Sequence, residues 1–211
     1  LGAKLAIIPG EREAALSFSG VSSSFSDARI AVVDIGGGST EIIVGQTGGV
    51  VERAHSFDVG CRRVTEKFFV ADPPTQAEMD EARTWIRQTM EPFFGALHTD
   101  GVVVDKVVCV AGTATTVVSI REAMEVYDTT RVHGAQVSRH DVDSIAQRLA
   151  SVPQVERANV VGLDPGRAPV IVEGMLILQS VMDLFGVDEF VVSESDILQG
   201  IVLAEAREEA F

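Results

Sequence analysis

The sequence predicts an α/β domain: a mixed five-stranded sheet that opens with an antiparallel meander and carries helices on both faces. Three observations point to it. Residues 29–57 hold three β-rich runs separated by two turns, Gly36-Gly37-Gly38 and Gln46-Thr47-Gly48-Gly49, the pattern of consecutive hairpins. Lys106 to Ala111 is a nearly continuous β-branched run, as in a parallel strand covered on both sides. Apolar residues elsewhere recur at spacings of three and four, the helical period.

Taken in order, Lys4 to Ile8 reads as a short strand and Pro9-Gly10 breaks it. Glu11-Arg12-Glu13 opens a helix to about Phe18, with acids suited to a positive helix end. Ser19 to Ser26 reads as a small-residue loop. Strands follow over Arg29 to Asp34, Thr40 to Gly45 and Val50 to Phe57. Asp58-Val59-Gly60 leads into a helix from Cys61 to about Phe69. Thr75 with Glu78 forms a capping box for a long helix. Its core stripe is Met79, Ala82, Ile86, Met90, Phe93 and Leu97, and Pro92 is expected to kink or shorten it. The strand over 106–111 is followed by Gly112-Thr113-Ala114-Thr115-Thr116 and a helix to about Met124. Ser138 with Asp141 caps another helix, and Glu156 to Val160 is a short one. Ala168 to Phe185 reads as a buried helix, Val187 to Ser193 as a strand, and Ser195 to Glu209 as a terminal helix.

Composition bounds the function. The 211 residues are 46% hydrophobic and 23% charged, a globular balance. A net charge of −14 and a pI near 4.6 exclude a general nucleic-acid binder, which needs a basic face. Cys61 and Cys109 sit in apolar context, as small core residues of a reduced, cytoplasmic protein. No signal peptide opens the chain. The most apolar helix carries Glu173, Gln179 and Asp183, so it is expected in a core rather than in a membrane. The chain starts at Leu1, a hint that something precedes it.

The chemistry concentrates in Ile30 to Val44. There an apolar run ends in Asp34, Gly36, Gly37, Gly38, Ser39, Thr40 and Glu41 follow, and a second apolar run begins. Glycines without Cβ let backbone N–H groups close on an anion. Ser39 and Thr40 add hydroxyl donors. Asp34 and Glu41 would repel a bare phosphate but suit a Mg²⁺ that bridges to one. The other reading is a glycine hairpin with solvated acids. The loop is not a Walker loop, because no Gly-Lys-Ser/Thr follows, and it lacks the dinucleotide spacing. Gly112 and Thr113, between a strand and a helix start, form a second anion-site pattern; a threonine cap after a tight turn reads equally well.

The succession Pro9-Gly10-Glu11-Arg12-Glu13-Ala14, then DIGGGSTE over 34–41, Gly60 to Glu66, Ala111-Gly112-Thr113, His133-Gly134, Gly162 to Leu178 around Arg167, and Ser193 to Gly200 resembles the exopolyphosphatase/guanosine pentaphosphate phosphatase family. The likeness runs over nearly the whole chain and looks most like the bacterial exopolyphosphatase branch. It implies a ribonuclease-H-like lobe of the actin and sugar-kinase superfamily. It also implies hydrolysis of the terminal phosphate of polyphosphate or guanosine pentaphosphate. Glu13 maps onto the proposed water-activating base, and Asp34 and Glu41 onto the acids linked to metal and catalysis. Gly36 to Ser39, with Gly112 and Thr113, map onto phosphate-cradling backbone. Arg63 and Arg167 map onto arginines placed near substrate, and His133 reads as a structural loop residue. Dimerisation is a family expectation only. Ser193-Glu194-Ser195-Asp196 departs from a common Ser-Asp-Gly pattern. Family members begin with another lobe, of which residues 1–211 show no convincing copy, so the chain is expected to be the second lobe and to hold half a site. A kinase lobe of the same superfamily and a non-catalytic polyphosphate- or alarmone-binding module are the competing readings.

Overall fold

The computed structural model describes residues 8–206. In chain order the elements are α1 (Gly10–Ser22), β1 (Arg29–Ile35), β2 (Thr40–Gln46), β3 (Val51–Phe57), α2 (Cys61–Phe68), α3 (Gln76–Thr99), β4 (Lys106–Val110) and α4 (Ala111–Arg121). There follow α5 (Thr129–Val132), β5 (Gln136–Ser138), α6 (Arg139–Ala150), α7 (Gln154–Arg157), a 3-10 turn (Pro165–Arg167), α8 (Ile171–Phe185), β6 (Glu189–Val192) and α9 (Ile197–Ala206). The strand expected over Lys4 to Ile8 falls, except for Ile8, outside the described residues, as does the end of the terminal helix.

The sheet has six strands rather than five, in the order β3-β2-β1-β4-β6-β5. β1 to β3 are the expected antiparallel meander. β1, β4 and β6 run parallel. The additional strand, β5, pairs antiparallel with β6. Three residues, Gln-Val-Ser, make too short an alternation to read as a strand. β5 covers what would otherwise be the open edge of β6.

Alternation along β1 divides the core. Ile30 and Val32 pack with Phe18 and Val21 of α1, and with Ile43, Val108 and Val110, on one face. Ala31, Val33 and Ile35 join the larger cluster beneath α2, α3, α4, α6 and α8 on the other. On the smaller face α1 crosses α9 at backbone contact. A Cβ on Gly200 would stand 1.9 Å from the Leu16 carbonyl oxygen, and one on Gly20 2.1 Å from that of Asp196. That contact carries α1 on to Ser22, through residues expected to be loop. Pro92 does not end α3, which runs on to Thr99; it lies on the exposed side while Met90, Phe94 and Leu97 hold the last turns to the core. Phe94, not Phe93, is the buried position there; Phe93 stacks edge-on against Phe57 at 5.7 Å. Both capping boxes, at Thr75 and Ser138, form. Cys61 and Cys109 are free, buried thiols. Among the described residues no helix is long and apolar enough to cross a membrane.

Candidate active site

The register of the first hairpin sets Asp34 directly opposite Glu41. Even-numbered positions of β1 and odd-numbered positions of β2 share the α1 face, so both carboxylates rise from the sheet beside that helix. Like charges placed directly across a ladder are unfavourable, and a functional role is the usual reason such a pair persists. Ser56, paired with Glu41 on β3, donates its hydroxyl to the Glu41 carboxylate. Glu13, exposed on α1, lines the same cavity of about 290 Å³ with Asp34, Glu41, Ser56 and Asp196. Burial raises the Asp34 carboxyl to about 6, helped in order by the charges of Glu41, Asp196 and Glu13.

Residues 36–39 close the hairpin in a particular orientation. The Gly36 carbonyl accepts from the Cys61 N–H at 3.0 Å and from its thiol, and the Gly37 carbonyl accepts from the Arg63 N–H at 3.2 Å. The Gly38 carbonyl accepts from Arg63 Nε at 3.0 Å. All three carbonyls thus turn toward α2. The N–H groups of Gly37, Gly38 and Ser39 donate to none of the described residues. This is the polarity an anion-binding nest requires.

Gly60 makes the arrangement fit. A Cβ there would stand 2.5 Å from the Gly37 carbonyl carbon and oxygen and from the Gly38 carbonyl carbon, whereas one on Gly38 would meet nothing within 4 Å. Gly60→Ala is therefore expected to destabilise the fold by about 1–3 kcal/mol, because only backbone can move aside. Gly38→Ala is expected to leave stability within about 0.5 kcal/mol. Urea unfolding of the two variants checks this, and equal effects would mean that the loop is not wedged against α2.

The second anion pattern takes another form. Ala111 joins β4 to α4 with φ of +61°, a left-handed conformation that costs a residue with a Cβ roughly 1–2 kcal/mol. It starts the helix earlier than expected, so Gly112 and Thr113 lie in its first turn. The Thr113 side chain is buried against Gly174 of α8, and Thr113 lines neither cavity, whereas Gly112 lines the larger one. Arg167 lies against this helix start: a Cβ on Gly112 would fall 1.4 Å from Arg167 Nη1. Its guanidinium makes no hydrogen bond or ion pair with a described residue. It lines a larger cavity of about 860 Å³ with Asp34, Gly112, Tyr127 and Asp196. Arg63 lines neither cavity; it pairs with Asp58 at 3.0 Å and braces the loop from behind. His133 accepts from the Glu194 N–H through Nδ1, a loop-holding role.

Glu13, Asp34, Glu41, the free loop amides and, beyond Asp34, Arg167 with the start of α4 are thus brought to one region. Asp196 belongs there too, and sequence reasoning left its role open. Its only local signal was a departure from the usual pattern after Ser193.

Carboxylate oxygens are hard donors of the kind Mg²⁺ takes. Among the described residues no group of three or more His, Cys, Asp or Glu side chains is placed to hold a metal by itself. The donor set fits an ion that takes one or two carboxylates and completes its shell with water and substrate phosphate.

Strand order and the mixed six-stranded sheet define an α/β domain of the actin-like fold. The comparisons are narrower. Residues 1–209 match the Ppx/GppA phosphatase family, and the chain belongs to that family. It is 37% identical over 212 residues to Exopolyphosphatase 2 of Mycobacterium tuberculosis, covering 97% of this chain and 65% of that protein. It is 29% identical to the guanosine-5'-triphosphate,3'-diphosphate pyrophosphatase of Vibrio campbellii, covering 96% of this chain and 39% of that one. The crystal structure of the Aquifex aeolicus Ppx/GppA family member superposes with a TM-score of 0.89 at 26% identity, covering all of this chain and 67% of that one. The chain thus spans about two thirds of the first of these relatives.

Proposed function

We propose that this chain is the second lobe of an exopolyphosphatase and supplies half of an interlobe site that hydrolyses the terminal phosphoanhydride of inorganic polyphosphate. The observation that carries the reading is the convergence of Glu13, Asp34 and Glu41 on the cavity beside a loop whose amides face outward. Phosphoryl transfer needs a positioned nucleophile, a base and donors on the transferring group. Glu13 accepts the proton of the attacking water. The Gly37, Gly38 and Ser39 N–H groups donate to the phosphoryl oxygens. Arg167 and the first turn of α4 hold the phosphates that follow. Asp34 and Glu41 are the residues that would hold Mg²⁺, which when bound neutralises charge developing on the phosphates. The preceding lobe supplies the remaining contacts, and the protein works in the cytoplasm without nucleic-acid or membrane partners. Dimerisation is part of the same reading.

Guanosine pentaphosphate is the second reading, and one observation favours it. The larger cavity continues past Asp34 to a half-exposed Tyr127, and its volume suits a nucleoside better than a bare phosphate chain. The test gives the full-length protein long-chain polyphosphate and guanosine pentaphosphate separately, with Mg²⁺, and measures phosphate release. Release from polyphosphate at least about tenfold faster in kcat/KM supports the first reading; the reverse order supports the second. No release from either, with binding retained, would make the lobe a sensing module.

A further inference from the structure

The two cavities share Asp34, Val110, Asp196 and Ile197. These four residues therefore stand where the two cavities adjoin. Asp196 precedes α9 and caps it: Oδ1 accepts from the Leu198 N–H at 2.8 Å, and its carbonyl accepts from the Gly200 N–H at 3.3 Å. Asn or Ser performs that task as well as Asp, so capping does not account for the charge. The charge acts where the cavities adjoin. Asp196 is one of the groups that hold the Asp34 carboxyl up. On the larger-cavity side Asp34, Glu125, Asp164, Glu194 and Asp196 face a single cationic side chain, Arg167. A phosphate in the larger cavity lies in that field.

We propose that Asp196 is a specificity-determining residue of this site: its carboxylate disfavours free phosphoanions and admits those that carry a divalent cation. The inference rests on the reading of the glycine loop as an anion site. Removing one like charge beside both cavities strengthens binding of an uncomplexed anion. With a divalent cation on the phosphates the carboxylate becomes neutral or attractive, and the advantage of removing it disappears.

The test uses orthophosphate as the probe and calorimetry as the readout, on the full-length protein and its Asp196→Asn and Asp196→Ala variants. In EDTA both variants are expected to bind orthophosphate about five- to twentyfold more tightly than wild type. In excess Mg²⁺ the gap is expected to close to less than about threefold. Asp196→Asn keeps the cap, so it retains the wild-type thermal midpoint, while Asp196→Ala lowers it. Equal affinities of wild type and Asp196→Asn in EDTA would overturn the inference alone. So would a change confined to Asp196→Ala, which tracks the cap, or a gap unaltered by Mg²⁺. Absence of orthophosphate binding by all three folded proteins in both conditions would overturn the anion-site reading and this inference with it.

Discussion

Replacing Glu13 by Gln is expected to slow phosphate release by about 10²–10⁴-fold while polyphosphate affinity stays within about twofold. The substitution keeps the length and shape of the side chain and removes its capacity to accept a proton at neutral pH. Glu13 is exposed on α1, so an amide there leaves no buried group unpaired and is expected to leave the fold unchanged. Its neighbours in the smaller cavity, Asp34 and Glu41, rise from the sheet and lie closer to the glycine amides in sequence and register. On the proposed reading, the phosphoryl group lies over the loop and the water on the α1 side. Single-turnover phosphate release by the full-length protein separates the alternatives. A loss in the chemical step with binding retained assigns the base. A variant that keeps more than about a tenth of the wild-type rate would show that another group, with Asp34 next in place, accepts the proton.

Local features were legible in the sequence and long-range ones were not. Thr75 with Glu78 and Ser138 with Asp141 act within four residues, and both capping boxes stand where the spacing put them. The DIGGGSTE hairpin was legible for the same reason, since its register follows from a short turn between two β-rich runs. Thr113 shows the limit. A strand, a glycine and hydroxyls announce a turn into a helix, but no local signal tells which hydroxyl faces the cavity. The left-handed φ of Ala111 decides that, and it turns Thr113 into the core against Gly174. Phe93 and Phe94 differ by one position on a long helix whose apolar stripe drifts around its axis, so spacing alone found Phe93, which packs partly buried against the core, and missed Phe94, which is the buried one. Asp196 was obscured because the expected terminal helix began at Ser195, so an acid one residue on read as part of its first turn. Only the packing of α9 on α1 brings it to Asp34. β5 was missed because three residues make a strand only when a neighbour, here β6, is already in place.

Glu173 is expected to make the fold lose stability as pH rises, and Glu173→Gln to remove that loss. The residue sits in the first turn of α8, 4% exposed, and its Oε2 has no hydrogen-bond partner. Arg157 is the cation whose charge reaches it, but that guanidinium is committed to the carbonyls of Leu149, Ala168 and Val152 at 2.9–3.0 Å. Burial pushes the Glu173 carboxyl from 4.5 to about 7, against weaker lowering by its own backbone N–H, by Arg157 and by Thr65. A carboxyl whose pKa is higher in the folded than in the unfolded chain favours folding when it is protonated. Its contribution is fully present below about pH 4.5, falls as pH rises toward about 7, and is gone above that. The shift corresponds to roughly 3 kcal/mol in all, of which about 2–3 kcal/mol is lost between about pH 5 and pH 9. Glu173→Gln carries a fixed cost or benefit at every pH but cannot ionise, so the gap between the two proteins must change by that amount across the range. Asp34 titrates in both proteins and cancels in the difference. Urea unfolding at a series of pH values measures the gap. Parallel stability curves for wild type and Glu173→Gln would mean that the buried carboxylate is paired when charged, and that α8 begins on a satisfied ion rather than on a neutral acid.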